Sequence, residues 1–183
     1  MKRAAPGNLE LVRSFVNTLD LETGADELGD PAALKGWLAE RRLLEPGAPV
    51  SPVAAQRAAA VREGLRSLLR SNGGEELDPD AVATLEAAVH WARLTVVFDE
   101  RGRIGVEPGR PGIAGAVGRL LAIVADAMAD GSWARMKVCD AADCRWAFYD
   151  HTRNRSGRWC SMAVCGNRAK VRAYRTRRDA KTG

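Results

Sequence analysis

Four cysteines hold the densest chemistry in this chain of 183 residues: Cys139, Cys144, Cys160 and Cys165. They form two C-x4-C pairs separated by the loop from Arg145 to Trp159. Each pair offers two sulfurs from one local turn, and the intervening loop brings the pairs together, which suits the tetrahedral geometry of one structural Zn2+ ion. The spacing is wider than the usual C-x2-C of zinc sites. Four thiolates leave no open position for water, so the expected site is structural and not catalytic. Met1 to Glu10 has charges but no apolar core like that of a signal peptide. We therefore expect a cytoplasmic protein whose cysteines are reduced ligands, not disulfides. Arg145, Arg158, Arg168 and Lys170 lie close to the cysteines in sequence and are expected to lower the thiol pKa values.

The second cysteine pair also predicts local structure. On a continuous helix, five residues rotate about 140° beyond a full turn, so Cys160 and Cys165 cannot share a helical face. Cys160 is expected in a turn, and Cys165 at or just before a helix N-terminus, where the helix dipole favours its thiolate. Gly166 is expected to permit a tight turn or a close approach to the sulfur.

Charge points to the same end of the chain. From Arg135 onward there are thirteen Lys and Arg against four Asp, a balance of +9, and the net +5 leaves −4 for the segment from Met1 to Ala134. Such asymmetry fits either a polyanionic partner or a solvated basic face. Arg168, Arg172 and Arg175 follow the spacing of one helix face, with Lys170, Arg177 and Arg178 nearby and Arg153, Arg155 and Arg158 in the loop before. These are the candidate nucleic-acid contacts, together with Asn167. Asn167 and Arg168 are residue types that read adenine and guanine, but beside a ligand they equally fit a turn cap or a donor to sulfur. Trp146, Phe148, Tyr149 and Trp159 fall between the ligands and are expected to be the small module's core, not a base-stacking platform.

The segment from Met1 to Ala134 must position this module, and it reads as mostly helical. Val12, Phe15, Val16 and Leu19 recur at helical spacing. Asp30-Pro31, Ser51-Pro52 and Asp78-Pro79 are three helix-start signals, each a capping side chain followed by proline. The second helix is expected to bury Leu34, Trp37 and Leu38; the third Ala54, Ala58, Val61, Leu65 and Leu68; the fourth Val82, Leu85, Val89 and Ala92. A β-hairpin is predicted near 94–106, and a fifth helix inward at Ile113, Val117, Leu120, Leu121, Val124 and Met128, ended by Gly131. Gly115 and Gly118 are expected to let helices approach closely. Ala114 to Met128 is broken by Gly, Arg and Asp, short of the roughly 20 clean residues of a membrane span. The body carries no phosphate loop and no catalytic constellation, and His90 reads as structural or surface.

The run from Arg158 through Cys160, Cys165, Gly166, Asn167 and Arg168 to Lys170 strongly resembles the CGNR zinc finger. Phe148-Tyr149-Asp150 and Thr152-Arg153-Asn154 also look like that family. The body resembles the ABATE domain that normally precedes this finger, most clearly at Asn17-Thr18. The resemblance implies a bacterial, stress-linked transcription regulator whose finger binds DNA. Thr152 stands where the family pattern suggests Ser, and Gly157 where it suggests a second Arg, which implies one weaker phosphate contact.

The resulting expectation is an α+β protein. A mostly helical domain with a hairpin spans 1–134, and a treble-clef-like zinc finger ending in a basic helix spans 135–183. The expected function is a regulator, not an enzyme, that binds double-stranded DNA, with the body supplying dimerisation or sensing of a small-molecule effector. A zinc-dependent protein- or RNA-interaction module and a thiol-based redox sensor remain open beside it.

Overall fold

Three of the helices begin where a side chain can cap them. In the computed structural model, which describes residues 3–179, helix α1 is Leu9–Val16, α2 is Pro31–Glu40, α3 is Pro52–Ser71 and α4 is Pro79–Ala92. The Asp30 carboxylate accepts from the Ala32 and Ala33 amides at 2.8 Å. The Ser51 hydroxyl accepts from Ala54 at 3.2 Å, and Asp78 from Asp80 at 3.0 Å. Each cap satisfies an amide that the first helical turn leaves without a partner, and the proline behind it has no N–H to lose. Residues 180–183, the end of the expected finger segment, lie outside the described residues.

Strands β1 (Leu94–Phe98) and β2 (Ile104–Pro108) form the expected antiparallel hairpin, with Leu94 opposite Pro108 and Phe98 opposite Ile104. Its turn is organised by Asp99, which accepts from the Arg101 and Arg103 amides at 2.8 and 2.9 Å. Helix α5 (Gly112–Ala129) follows and packs on α1, α3, α4 and β2. It is 18 residues long with a mean hydropathy of 1.6, so by length and composition it could cross a membrane. Its apolar face from Ile113 to Ala127 is instead buried in the core, which accounts for that composition.

Several inward positions differ from the periodicity. On α3, Ala55 and Leu69 are buried while the expected Ala54 and Leu68 are half-buried. Helix α1 stops at Val16, so Leu19 lies beyond it and bridges Asp26. Helix α4 faces inward with Ala81, Leu85, Ala88 and Ala92, leaving Val89 exposed. The cause is close approach to α3: a Cβ on Gly64 would sit 3.0 Å from Leu85 Cγ and 3.4 Å from the Ala81 carbonyl. Small residues therefore turn toward α3 and Val89 rolls outward. On α5, Ala127 is buried where Met128 was expected. Gly118 does mark a close approach, since a Cβ there would meet Pro108 Cβ at 2.7 Å and Ala92 Cβ at 2.9 Å.

The chain then makes a single 3₁₀ turn, Trp133–Arg135, and a second hairpin, β3 (Met136–Val138) with β4 (Ala147–Tyr149). Trp133, Met136, Val138 and Ala147 join the same apolar cluster as Phe15, Leu65, Leu69 and Leu120. One hydrophobic core thus runs across position 134.

Buried and half-buried polar groups reinforce that junction. The Asn17 amide donates to the Ala147 carbonyl at 2.9 Å and accepts from its N–H at 2.7 Å. Arg66 donates to the carbonyls of Val16 at 2.6 Å and Arg145 at 2.9 Å. Asn72, just past the end of α3, donates to the carbonyls of Trp133 and Met136, both at 2.9 Å. Each contact satisfies a backbone group that would otherwise be costly to bury.

Candidate metal centre and basic face

The first cysteine pair brackets the β3–β4 turn. Cys139 follows β3 directly, and its amide donates to the Trp146 carbonyl at 2.9 Å. The chain closes through Cys144 and Arg145, whose amides donate to the Ala141 carbonyl at 2.9 and 3.0 Å. Arg145 adopts a left-handed backbone conformation, φ 46°, which costs a non-glycine residue on the order of 1 kcal/mol or more. The body holds it there: Arg66 donates to its carbonyl and its guanidinium pairs with Glu75.

The second pair comes from a different kind of segment. Cys160 lies at a bend of the chain, and Cys165 lies in the single π-helical turn Met162–Gly166 that opens helix α6 (Asn167–Asp179). This matches the placement expected from their spacing. Gly166 is crowded from another quarter: a Cβ there would meet Met162 Sδ at 2.6 Å and Trp159 Cδ1 at 3.2 Å, so Met162 would have to move to admit one. The ligand sulfur is not what crowds it.

All four sulfurs lie within 4.8 Å of one another. Cys144 and Cys160 are 3.7 Å apart, and Cys160 and Cys165 3.8 Å. A tetrahedron with Zn–S bonds of about 2.3 Å has an S–S edge of about 3.8 Å, so the cage has the size zinc needs. Its electrostatics agree. Hydrogen bonds from Cys144 and Cys160 pull the Cys139 thiol far below its ordinary value, and the resulting thiolate pushes Cys144 up to about 11 and Cys160 higher still. Crowding thus lets one of these thiols ionise at the expense of its neighbours, and a divalent zinc among them would supply the charge that holds all four as thiolates. Four sulfurs fill its coordination, which fits a single structural ion and leaves no place for substrate.

The aromatic residues between the ligands pack as core. Trp146 and Trp159 lie against the cysteine cluster, and Phe148 is buried. The loop after β4 is built on Asp150, which is 2% exposed. Its carboxylate accepts from the Thr152 hydroxyl at 2.7 Å, the Thr152 amide at 2.9 Å, the Gly157 amide at 2.7 Å and Lys137 Nζ at 3.0 Å. Burial alone would raise its pKa; these donors outweigh burial and hold it down at about 2. A side chain at position 157 would strike this carboxylate, since a Cβ there would lie 2.7 Å from Oδ1. That contact explains the glycine where a second arginine was expected.

The cationic residues divide into engaged and solvent-facing groups. Arg168 reaches Cys165 Sγ at 3.6 Å, pairs with Glu22 of the body through both nitrogens at 2.7 and 3.2 Å, and lies 3.5 Å from Asp143. Arg172 lies 3.6 Å from Asp143. The Asn167 side chain donates to the Ala163 carbonyl at 3.1 Å, bracing the turn that carries Cys165. Arg145 and Arg158 do not face the sulfurs: the first pairs with Glu75 and the second with Asp140. Of the four cations expected to tune the thiols, Arg168 is the one with a contact to sulfur among the described residues. Arg153, Arg155, Lys170, Arg172, Arg175, Arg177 and Arg178 are all exposed. Arg168, Arg172 and Arg175 line one open concavity with Val164 and Val171.

Sequence reasoning missed Arg66, Asn72 and Lys137, which join the finger to the body and brace its loop. Their polarity gave no warning that Arg66 and Lys137 are buried and Asn72 half-buried. Asn17 was visible only as a family likeness, without its role.

A helical body fused through one core to a cage of four thiols and a basic helix defines a protein of the zinc-finger class. The chain belongs to the ABATE family, whose description reads "Putative stress-induced transcription regulator" and whose profile matches residues 9–131. The CGNR zinc finger matches residues 135–178. No curated protein matches the chain. Both families are of regulator or zinc-finger type and neither is an enzyme family, and together they assign the chain a zinc-binding regulatory role.

Proposed function

We propose that the chain is a transcription regulator that binds double-stranded DNA through α6 and the loop before it. The observation that carries this reading is the exposed α6 surface, where Arg172, Arg175, Arg177 and Arg178 leave the zinc cage on a single helix. A helix of this diameter fits the major groove. Zinc holds the turn that launches it and takes no part in chemistry. Arg175 has no carboxylate partner among the described residues, so it can meet phosphate without first giving up an ion pair. Arg153 and Arg155 extend the same charge along the loop. Two copies on a palindromic site would be the usual arrangement for such a regulator.

The test is fluorescence anisotropy of duplex DNA against zinc-loaded protein across salt concentrations. The logarithm of affinity should fall by about 0.9 per phosphate neutralised for each decade of salt. Replacing Arg172 and Arg175 together with Ala should weaken binding to all sequences alike. Absent or salt-insensitive binding overturns the proposal. Selection from random duplexes then tests for a palindrome.

One observation favours a protein partner as second reading: Val164, Val171 and Tyr174 are 52%, 50% and 63% exposed among these arginines. Material captured from cells that nuclease does not release would favour it.

A further inference from the structure

The acidic helical body contains one concavity whose charge opposes its own. It lies between α3 and α4, has a volume of about 500 Å³, and is closed at one end by the loop before α5. Its floor is Ala60, Val61, Ala87 and Ala88, with Thr84 at one side. The two helices are tightest at Gly64, where Leu85 and Ala81 press on the backbone. Toward Arg57 and Trp91 small side chains leave the space open. No carboxylate lines it, although the segment from Met1 to Ala134 carries a net −4.

The polar groups converge on one wall. The Arg57 guanidinium lies over the half-buried Trp91 ring, 5.4 Å from its centroid. Arg110 and His90 complete the rim. Arg13, Arg62, Arg66 and Arg70 of the same body each hold a carboxylate. Arg57 and Arg110 hold none among the described residues, and a guanidinium presents a fork of donors that matches a carboxylate. A flat indole, an apolar floor and two unpaired guanidinium groups in a cavity of this size are complementary to a small organic anion with a planar apolar body.

We propose that this concavity is a binding site for a small organic carboxylate. The carboxylate sits between Arg57 and Arg110, and the apolar part lies over the alanine floor beside Trp91, whose ring face Arg57 already covers. The site belongs to the helical body and lies apart from the zinc cage, so it stands whether or not α6 binds DNA.

Benzoate and its neutral counterpart benzamide are suitable probes, titrated into zinc-loaded full-length protein without DNA and followed by amide chemical shifts. Benzoate should give saturable shifts confined to residues 57–61, 84–91 and 110, with benzamide at least tenfold weaker. Arg57→Gln and Arg110→Gln, both at exposed positions, should each weaken benzoate about tenfold while leaving the melting temperature unchanged. Equal response to the two probes, shifts scattered over the surface, or full benzoate affinity in both variants would overturn the proposal.

Discussion

Replacing Asn17 with Ala should destabilise the whole protein, although Asn17 is far in sequence from the finger it holds. Asn17 is 6% exposed, and its amide makes both a donor and an acceptor contact with Ala147, which is fully buried. Truncation removes two hydrogen bonds and leaves the Ala147 N–H and C=O in the core without partners. A net hydrogen bond is worth about 1 kcal/mol, and each orphaned buried group costs about 1–3 kcal/mol. Partial relaxation and entry of a water would recover some of this, so the expected loss is about 2–4 kcal/mol. In a chain of this size that corresponds to a fall in Tm of about 5–15 °C. Urea unfolding at saturating zinc is the assay, because zinc binding itself contributes to apparent stability. Asn17→Asp serves as control: its carboxylate can accept from the Ala147 N–H but meets the Ala147 carbonyl as a second acceptor, so it should be no better than Ala. A loss below about 0.5 kcal/mol in N17A, or an Asp variant as stable as the parent, would refute the claim that this amide joins body to finger.

Three further outcomes follow from the same contacts. Chelation should release one equivalent of zinc and melt α6, while β3 and β4 persist because Met136, Val138 and Ala147 belong to the main core; metal analysis with circular dichroism reads both, and a stoichiometry other than one would contradict the cage. Asp150→Asn should cost about 2–3 kcal/mol at neutral pH, from a carboxyl held at about 2 against an ordinary value of about 3.9. Because the folded pKa is depressed, that contribution is complete above about pH 4 and disappears as pH falls through about 2, so the stability difference between parent and variant should shrink across that window. If α6 binds DNA, Glu22→Gln should raise affinity up to about tenfold by freeing Arg168, at little cost in stability since Glu22 is exposed; unchanged affinity would remove Arg168 from the interface.

The helix starts were legible because capping is local. Asp30, Ser51 and Asp78 bond amides two or three residues away, and the proline beside each admits little else. The hairpin from Leu94 was legible for a like reason, its alternation and turn residues lying within one short window. Val89 and Met128 were misplaced because periodicity marks an apolar stripe without saying how far the helix rolls. Close approach at Gly64 decides that for α4, and no pattern within α4 contains it.

The metal centre divides the same way. Which residues make the cage, and that Cys165 opens a helix, follow from cysteine spacing and helix geometry alone. Only the tertiary structure decides what the surrounding charges do. Arg145 and Arg158 neighbour cysteines in sequence, yet each turns to a carboxylate, Glu75 or Asp140, because pairing outcompetes proximity along the chain. Arg168 does reach a thiol, but it is also held by Glu22, 146 residues away. The junction between finger and body was likewise settled in three dimensions. Asn17, Arg66 and Asn72 are polar residues whose sequence context suggests solvent; the first two are buried and Asn72 is half-buried, because their partners are backbone groups in or beside a distant hairpin that would otherwise have none.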